Sequence, residues 1–359
     1  METVIEKKIH KRQVRALRSD PAKAAAFVNL RYVNDKQPGI ERVRKGDSFH
    51  YIYNGKKVTD KALLERIRRL VIPPAWESVW ICPFEDGHLQ VTGIDVLKRK
   101  QYKYHAHWNQ FRNHTKFSHL HSLGKCLPSI REKVQKELSL SGLPLEKVLA
   151  AIIMIMEETT IRIGNASYEK LYGSFGLTTL KDQHVKITGT QVKFSFKGKK
   201  GVYHNVDLKS RKLAHIIKQC RDIPGKELFQ YYNNNGQRNS IDSGMVNDYI
   251  KSLTNGDFTA KDFRTWIGTV QALEKLKEFG CCDTVAETKK KIVEVLDHVA
   301  KQLGNTRTVC KKYYVHPLIL DLYTDKSLEK YWKNWDDKQT APFDLKPAEK
   351  VLMKILETN

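Results

Sequence analysis

The segment HVKITGTQVKFSFKGKKGVYHNV, residues 184–206, decides how the second half of this chain folds. Polar and apolar residues alternate over His184–Thr188 and again over Gln191–Phe196, which is typical of strands with one buried face. Gly189-Thr190 fits a tight turn between them, and a second glycine-bounded turn, Lys197–Gly201, leads to a third run at Val202–Val206. The segment therefore predicts a compact three-stranded β-sheet. Three side chains are expected to share its buried face: Val192, Phe194 and Phe196.

Helical patterns lie on both sides of this predicted sheet. Apolar residues recur at spacings of three and four over Ile130–Leu138 and Leu145–Leu171. The same spacing after the sheet predicts five helices: Ser210–Gln219, Ser243–Leu253, Thr259–Lys277, Ala286–Gln302 and Ala348–Leu356. Residues 109–359 therefore read as a larger, mostly helical domain that carries the small sheet.

The first part of the chain has a different texture. Residues 1 to about 30 predict a helix that ends near Asp20-Pro21, and Asp60–Leu70 predicts another. The rest consists of short strand-like runs separated by Gly, Pro and Asn turns: His50–Tyr53, Val79–Cys82, His88–Thr92 and Gln101–His105. The predicted fold class is therefore α+β, with a small β-rich N-terminal domain, residues 1–108, before the helical domain.

The charge of the chain points to a polyanionic partner. Among 359 residues, 63 are Lys or Arg and 40 are Asp or Glu, which gives a formal net charge of +23. An enzyme for a small neutral substrate needs no such excess, whereas nucleic acid accounts for it directly. Because the charge is spread over both domains, we expect them to form a clamp around duplex DNA, with an affinity that falls steeply with salt.

Composition excludes several other classes. Hydrophobic residues make up 40% and aromatic residues 9% of the chain, enough for a packed interior. The longest apolar run, Val148–Met156, is far shorter than the roughly 20 residues of a membrane span. No apolar signal core follows Met1, and no phosphate-binding loop of the G-x-x-x-x-G-K-[ST] type occurs. We expect a cytoplasmic, nucleoid-associated protein that binds no membrane.

Five polar residues of the helical domain follow one another in an informative order: Arg162, Lys199, Arg264, Asn305 and Tyr314. Each alone has an ordinary structural interpretation. An Arg at a helix end is usually an ion-pair partner, a Lys in a hairpin turn is usually solvated, and an Asn after Gly is usually a cap. A Tyr in an amphipathic helix is usually half-buried. The order of the set is what favours a catalytic interpretation.

That order resembles the type IB DNA topoisomerases, specifically their compact poxvirus-like and bacterial form. The resemblance runs over nearly the whole chain. In the first domain it rests on Leu70–Trp76 and Lys100–Tyr104. In the second it rests on five segments: Arg162–Gly164, Gly176–Leu180, Phe196–Lys199, Lys261–Thr265, and Gly304–Thr306 with Tyr314–Pro317.

The resemblance implies a role for each of the five residues. Tyr314 would attack the scissile phosphorus and form a 3′-phosphotyrosyl bond, while Arg162 and Arg264 hold the nonbridging oxygens. Lys199 would protonate the leaving 5′ oxygen, and Lys261, a further DNA-binding candidate, could assist it. Resealing would conserve the bond energy, so neither ATP nor an obligatory metal is expected. The resemblance also implies a monomer that relaxes supercoiled DNA.

Two positions depart from the family's pattern. Asn305 stands where the family often has His, so we expect a hydrogen-bond donor to a phosphate oxygen and no proton transfer. Asn165 stands where the viral form has Lys, which puts one DNA contact in doubt.

Four residues of the first domain match the family's DNA-facing strand: Arg99, Gln101, Tyr102 and Tyr104. Gln can pair with adenine in the major groove, and Tyr can contact sugar or phosphate. Gln101 and Tyr102 start on opposite faces of an ideal strand, so both reach DNA only from a bulge or an edge strand. The alternative is a pair of core tyrosines beside an exposed Gln.

Two other functions compete with this interpretation. A tyrosine recombinase shares the five-residue chemistry, but it usually has His where this chain has Lys261, and a helical N-terminal domain. A non-catalytic nucleoid protein would explain the charge and leave the ordered residues unexplained.

Overall fold

The computed structural model describes residues 20–358 apart from residues 47, 97, 118, 234, 334, 336 and 338–340. The chain divides into two compact units, Met1–Ser118 and His119–Asn359. The predicted domain boundary after residue 108 falls inside a helix, Ala106–Lys116, of the first unit. The helix predicted over residues 1–30 lies mostly outside the described residues. Its predicted end near Asp20-Pro21 adjoins the first described residue, where Asp20 caps the start of a helix at Pro21.

The first unit is built on an antiparallel six-stranded sheet, with strand order β3-β2-β1-β4-β5-β6. Its strands are β1 (Ile40–Lys45), β2 (Ser48–Tyr53), β3 (Lys56–Lys57), β4 (Glu77–Ile81), β5 (Leu89–Ile94) and β6 (Lys100–Tyr104). Its helices are α1 (Pro21–Phe27), α2 (Lys61–Arg69) and α3 (Ala106–Lys116). All four predicted strand runs fall in this sheet, while β1 and β3 escaped prediction.

Two apolar clusters hold the helices of the first unit in place. Ile67 of α2 is buried with Ile40, Val79, Ile81 and Val91 of the sheet. The helices α1 and α3 form a second cluster of their own, in which Ala24 and Ala25 meet Trp108 and Phe111. The sheet therefore has a buried face under α2, and β6 lies at its edge.

The second unit is mostly helical and contains two small antiparallel sheets. Its helices are α4 (Leu120–Glu137), α5 (Leu145–Thr159), α6 (Ala166–Tyr172), α7 (Arg211–Arg221), α8 (Ser243–Thr254), α9 (Ala260–Phe279), α10 (Val285–Leu303), α11 (Arg307–Tyr313), α12 (Pro317–Thr324), α13 (Glu329–Trp332) and α14 (Pro347–Thr358). Its strands are β7 (Val185–Thr188), β8 (Gln191–Lys197), β9 (Tyr203–Lys209), β10 (Gln230–Tyr232) and β11 (Arg238–Ser240). Across the described residues, no helix is both long and apolar enough to cross a membrane.

The three-stranded sheet is confirmed, with order β7-β8-β9. Val192, Phe194 and Phe196 are all buried, because alternate side chains of β8 face the helices. In the second turn, Lys199–Gly201 forms one turn of 3₁₀-helix, and Lys200 takes the left-handed conformation with φ +62°.

The single helix predicted over Leu145–Leu171 is wrong. Helix α5 ends at Thr159, Thr160 adopts a left-handed conformation with φ +58°, and α6 begins only at Ala166. Thr160 is held in that conformation by a hydrogen bond from its Oγ1 to the carbonyl of Gln302, 2.9 Å away. The break matters because Arg162 lies in the loop that it creates.

Candidate active site

Two arginines lie near helix termini. Arg162 follows α5, and Arg264 stands in the first turns of α9. The Arg264 guanidinium donates to the carbonyls of Thr160 and Leu303, the latter at 2.7 Å. The Arg162 guanidinium donates to the carbonyl of Gly304 at 3.1 Å. Helix C-termini carry partial negative charge, so the ends of α5 and α10 stabilise this pair of cations.

The positive charge of the pair is not neutralised by a carboxylate. Within the described chain, neither arginine forms an ion pair with Asp or Glu. Arg264 is only 4% exposed, and its buried Nε finds no hydrogen-bond partner among the residues that the structure describes. Burial and the nearby Arg162 lower the pKa of Arg264 to about 10, and burial also lowers the pKa of Arg162. Both guanidiniums stay charged at neutral pH, and the pair favours an anion beside it.

Tyr314 lies next to this pair. The guanidinium carbon of Arg264 is 5.4 Å from the centre of the Tyr314 ring. The sequence had suggested a position within a helix for Tyr314. In the structure, Tyr314 is the cap residue that follows α11. Its carbonyl accepts a hydrogen bond from Thr269 Oγ1 at 3.3 Å. Tyr314 is thereby fixed to α9, the helix that carries Arg264.

The neighbouring Tyr313 has different surroundings. Its ring has the ammonium of Lys261 at 5.5 Å and that of Lys312 at 5.4 Å from its centre. Lys261 is exposed on the first turn of α9. The structure therefore brings Tyr314, and not Tyr313, to the arginine pair.

Asn305 joins the same group through Arg162. Helix α10 ends at Leu303, and its cap in the left-handed conformation is Gly304 rather than Asn305. The Oδ1 of Asn305 accepts a hydrogen bond from Arg162 at 2.7 Å, and its Nδ2 donates to the carbonyl of Leu303 at 3.5 Å. Asn305 thus orients Arg162 through its Oδ1, whereas its Nδ2 makes only a long, weak hydrogen bond.

Lys199 stands apart from the other four candidates. It is exposed at the tip of the β8–β9 turn, and its ammonium lies 5.2 Å from the centre of the Tyr168 ring. Tyr168 belongs to α6, which follows the Arg162 loop. Asn165, the position that departs from the viral form, caps this helix by accepting from the backbone N–H of Ser167. The structure therefore brings together Arg162, Arg264, Asn305 and Tyr314, and it places the Lys199 ammonium beside Tyr168 of the helix α6.

Sequence reasoning missed one residue of this region, His204. It lies on β9 opposite Phe196, and the two rings stack with centres 5.1 Å apart. Burial and the charges of Arg162 and Arg264 lower the pKa of His204 to about 4. The strand pattern places His204 across from Phe196, but its approach to the arginines brings together residues that are roughly 40 and 60 positions apart in the chain.

The four candidates of the first unit lie on or next to the edge strand β6. Arg99 Nε and Gln101 Nε2 both donate to Asp95 Oδ2, at 2.7 and 2.9 Å. Tyr102 is 48% exposed, and its ring is nearly parallel to that of Tyr104, with centres 6.1 Å apart. Tyr102 is thus no core residue, and an edge strand is one of the two conditions that would let Gln101 and Tyr102 both reach DNA.

Known proteins resemble both parts of the chain. Residues 105–341 match the family described as "Eukaryotic DNA topoisomerase I, catalytic core". Residues 48–95 match "Bacterial DNA topoisomerase IB, N-terminal domain". The first match covers well over half of the chain and includes all five candidate catalytic residues as well as Lys261.

Individual relatives agree with these families. The "DNA topoisomerase 1B" of Acanthamoeba polyphaga mimivirus is 31% identical over 294 residues, which are 79% of this chain and 87% of the relative. The "DNA topoisomerase 1B" of Vaccinia virus (strain Copenhagen) and the "DNA topoisomerase I" of Monkeypox virus are each 25% identical, over 66% of this chain and 73% of each relative. These matches do not favour a recombinase or a non-catalytic nucleoid protein. The chain belongs to the type IB DNA topoisomerases and is an isomerase of that family.

Proposed function

We propose that this chain relaxes supercoiled duplex DNA by opening and resealing one strand through Tyr314. One observation supports the assignment of the reaction to Tyr314. Two guanidiniums with no carboxylate partner among the described residues lie beside the Tyr314 ring. A phosphodiester is the anion of DNA, and a nucleophile must lie next to the phosphate that it attacks.

The reaction exchanges one ester bond for another. The Tyr314 oxygen loses its proton to solvent and bonds to the scissile phosphorus, while the bond from phosphorus to the 5′ oxygen breaks. The products are a 3′-phosphotyrosyl ester and a free 5′-hydroxyl. The duplex beyond the break swivels before the 5′-hydroxyl attacks the phosphotyrosine and restores the strand. Because the ester bond energy is conserved, the cycle consumes no ATP.

The cations stabilise the charge that develops on phosphorus. Arg162 and Arg264 bind the nonbridging oxygens, and their planar groups supply several donors in fixed directions. Their hydrogen bonds to Gly304 and Leu303 hold them in place before DNA arrives, which is the condition for electrostatic stabilisation without reorganisation. Asn305 orients Arg162 and offers its amide to the same phosphate.

Lys199 supplies the proton for the leaving 5′ oxygen. Its place on an exposed turn lets it approach a bound duplex from the groove, after it has left the Tyr168 ring. Lys261 lies beside Tyr313, the neighbour of Tyr314 in the chain, and can contact the same DNA backbone.

The two units engage the DNA together, as a clamp formed by a single copy of the chain. The net charge of +23 supports this proposal, because a clamp needs cations on both units. In the first unit, four residues on or next to the edge strand β6 contact the duplex: Arg99, Gln101, Tyr102 and Tyr104. A hydroxyl-radical footprint should cover both strands around a full turn, with one copy bound per site; protection of one face alone would contradict the clamp.

Plasmid relaxation tests the function. The protein should relax supercoils of either sign in EDTA and without ATP, and denaturation during the reaction should trap a covalent adduct at Tyr314. Tyr314→Phe should form no adduct and still bind DNA, whereas Tyr313→Phe should stay active. An adduct that survives in Tyr314→Phe and disappears in Tyr313→Phe would reverse the assignment.

A further inference from the structure

His204 sits between the two turns that carry Lys199 and Asn305. Strand β9 pairs His204 with Phe196 of β8, so the imidazole belongs to the second residue pair from the turn whose tip is Lys199. Its ring is nearly parallel to the Phe196 ring, at an angle of 14°. The stacking fixes the plane of the imidazole relative to the hairpin.

Two glycines make the room that this ring occupies. A Cβ on Gly198 would stand 2.5 Å from Cδ2 and 2.6 Å from Nε2 of His204. A Cβ on Gly304 would collide with Cε1 of the same ring. The imidazole therefore fills a slot with one glycine backbone on each side, too narrow for any side chain.

Each glycine adjoins a candidate catalytic residue. Gly198 precedes Lys199, and Gly304 precedes Asn305. Gly304 also accepts a hydrogen bond from Arg162. The imidazole thus connects the lysine turn with the end of α10, across a gap of about a hundred residues in sequence.

The ring carries no charge at neutral pH. Arg162 and Arg264 face it, and together with burial they hold the pKa of His204 at about 4. A neutral ring adds no repulsion to the arginine pair, and it leaves that charge to the phosphate.

We propose that His204 is a positioning residue, whose ring sets the distance between the Lys199 turn and the Gly304–Asn305 turn so that the Lys199 ammonium reaches the leaving oxygen. The inference rests on the proposed role of Lys199 as proton donor. If it is right, damage to His204 must harm the proton-transfer step and leave the phosphate-binding step intact.

Single-turnover cleavage of two substrates tests this inference. One is an ordinary duplex, and the other has sulfur in place of the bridging 5′ oxygen at the cleavage site, because a thiolate leaves without protonation. His204→Ala should cleave the ordinary duplex about 10- to 100-fold more slowly, since a misplacement of about 1 Å can cost that much. It should cleave the sulfur substrate at close to the rate of the unaltered protein.

A double variant tests whether His204 acts through Lys199. His204→Ala should cost little in the Lys199→Ala background, because a residue that acts through another loses its effect when the other is gone. Gly198→Ala gives an independent route. Its φ of −91° suits any residue, so the added methyl acts only by displacing the ring, and it should reproduce the sulfur-selective defect. The exposed His215 of α7 supplies the control, since His215→Ala should match the unaltered protein on both substrates.

The outcomes separate the inference from the function on which it rests. Rescue of Lys199→Ala by sulfur with no rescue of His204→Ala overturns the inference alone and assigns His204 to the phosphate clamp or the fold. Equal slowing of Lys199→Ala on both substrates removes the proton donor, and the inference falls with it. An unchanged rate for both His204→Ala and Gly198→Ala also overturns the inference.

Discussion

Gly268 and Tyr314 lie in direct backbone contact. A Cβ on Gly268 would come within 2.9 Å of the Tyr314 carbonyl oxygen and within 3.5 Å of its Cβ. Gly268 lies in the middle of α9, where an alanine would normally stabilise a helix by about 1 kcal/mol. The missing side chain is thus explained by the close approach of the Tyr314 segment, one turn along the helix from Arg264.

We expect Gly268→Ala to impair cleavage more than folding. The methyl group should push the Tyr314 backbone away from α9 and lower the single-turnover cleavage rate by about 10- to 100-fold. DNA binding should change little, because Tyr314 is one contact among many. Glu278→Ala, at an exposed position of the same helix, is the control and should cleave normally. A normal cleavage rate in Gly268→Ala would show that the contact does not position Tyr314.

The arginine pair should contribute to the transition state more than to DNA binding. Arg162→Ala or Arg264→Ala should each lower the cleavage rate by about 10²–10³-fold, the usual cost of removing one such donor. The affinity for DNA should change little, since other cations bind the backbone. Cleavage by rapid quench and binding by titration measure the two effects separately. A large loss of affinity with an unchanged cleavage rate would assign the pair to ground-state binding.

Lys199 should show the selectivity of a proton donor. Lys199→Ala should be slowed by about 10²–10⁴-fold on the ordinary duplex, the usual range for general acid catalysis, and be largely rescued by sulfur at the leaving position. Lys197 and Lys200 lie in the same turn and are exposed, so Lys197→Ala and Lys200→Ala are matched controls that should show no selective rescue. If Lys199→Ala is equally slow on both substrates, Lys261 becomes the better candidate.

A buried carboxylate under α9 should make stability depend on pH. Glu349 of α14 accepts hydrogen bonds from Arg131 at 2.8 Å and from Trp266 Nε1 at 2.9 Å. Burial alone would raise the pKa of Glu349, but the hydrogen bonds and charge of Arg131 outweigh it and hold that pKa below its ordinary value. The carboxylate therefore stabilises the fold above the ordinary Glu pKa, and this contribution is lost as the pH falls through the lowered value.

Glu349→Gln should accordingly destabilise the protein by about 3–5 kcal/mol at neutral pH, because it leaves Arg131 with half of its buried partners. The difference from the unaltered protein should shrink below about pH 4, the usual range of a Glu carboxyl. Urea unfolding over a pH series measures both effects. Glu65→Gln, which breaks an exposed pair with Arg69, should change stability by less than about 1 kcal/mol. A pH-independent difference for Glu349→Gln would contradict the ionised state.

The structural features that the sequence predicted best are those that depend on residues close together in the chain. The hairpin at Gly189, the buried face of β8 and the exposed Lys199 turn all follow from alternation and glycine placement within twenty residues. The end of α5 could not be predicted from local pattern, because Thr160 is held outside the helix by hydrogen bonds with Gln302 and Arg264. An apolar pattern carries no record of such distant contacts. For the same reason the approach of His204 to Gly304 could not be read from the strand pattern alone.

The contact between Lys199 and Tyr168 bears on how many supercoils leave per opening. In the proposed mechanism religation is the reverse of cleavage, so Lys199, left as a neutral amine when it gives its proton to the 5′ oxygen, would take that proton back as the strand closes. A return of the Lys199 side chain to the Tyr168 ring, where the structure places its nitrogen 5.2 Å from the centroid, would delay that proton transfer and lengthen the life of the open strand. The number of rotations per opening is the product of that lifetime and the rotation rate. By this route a single aromatic ring on α6 would adjust the step in linking number.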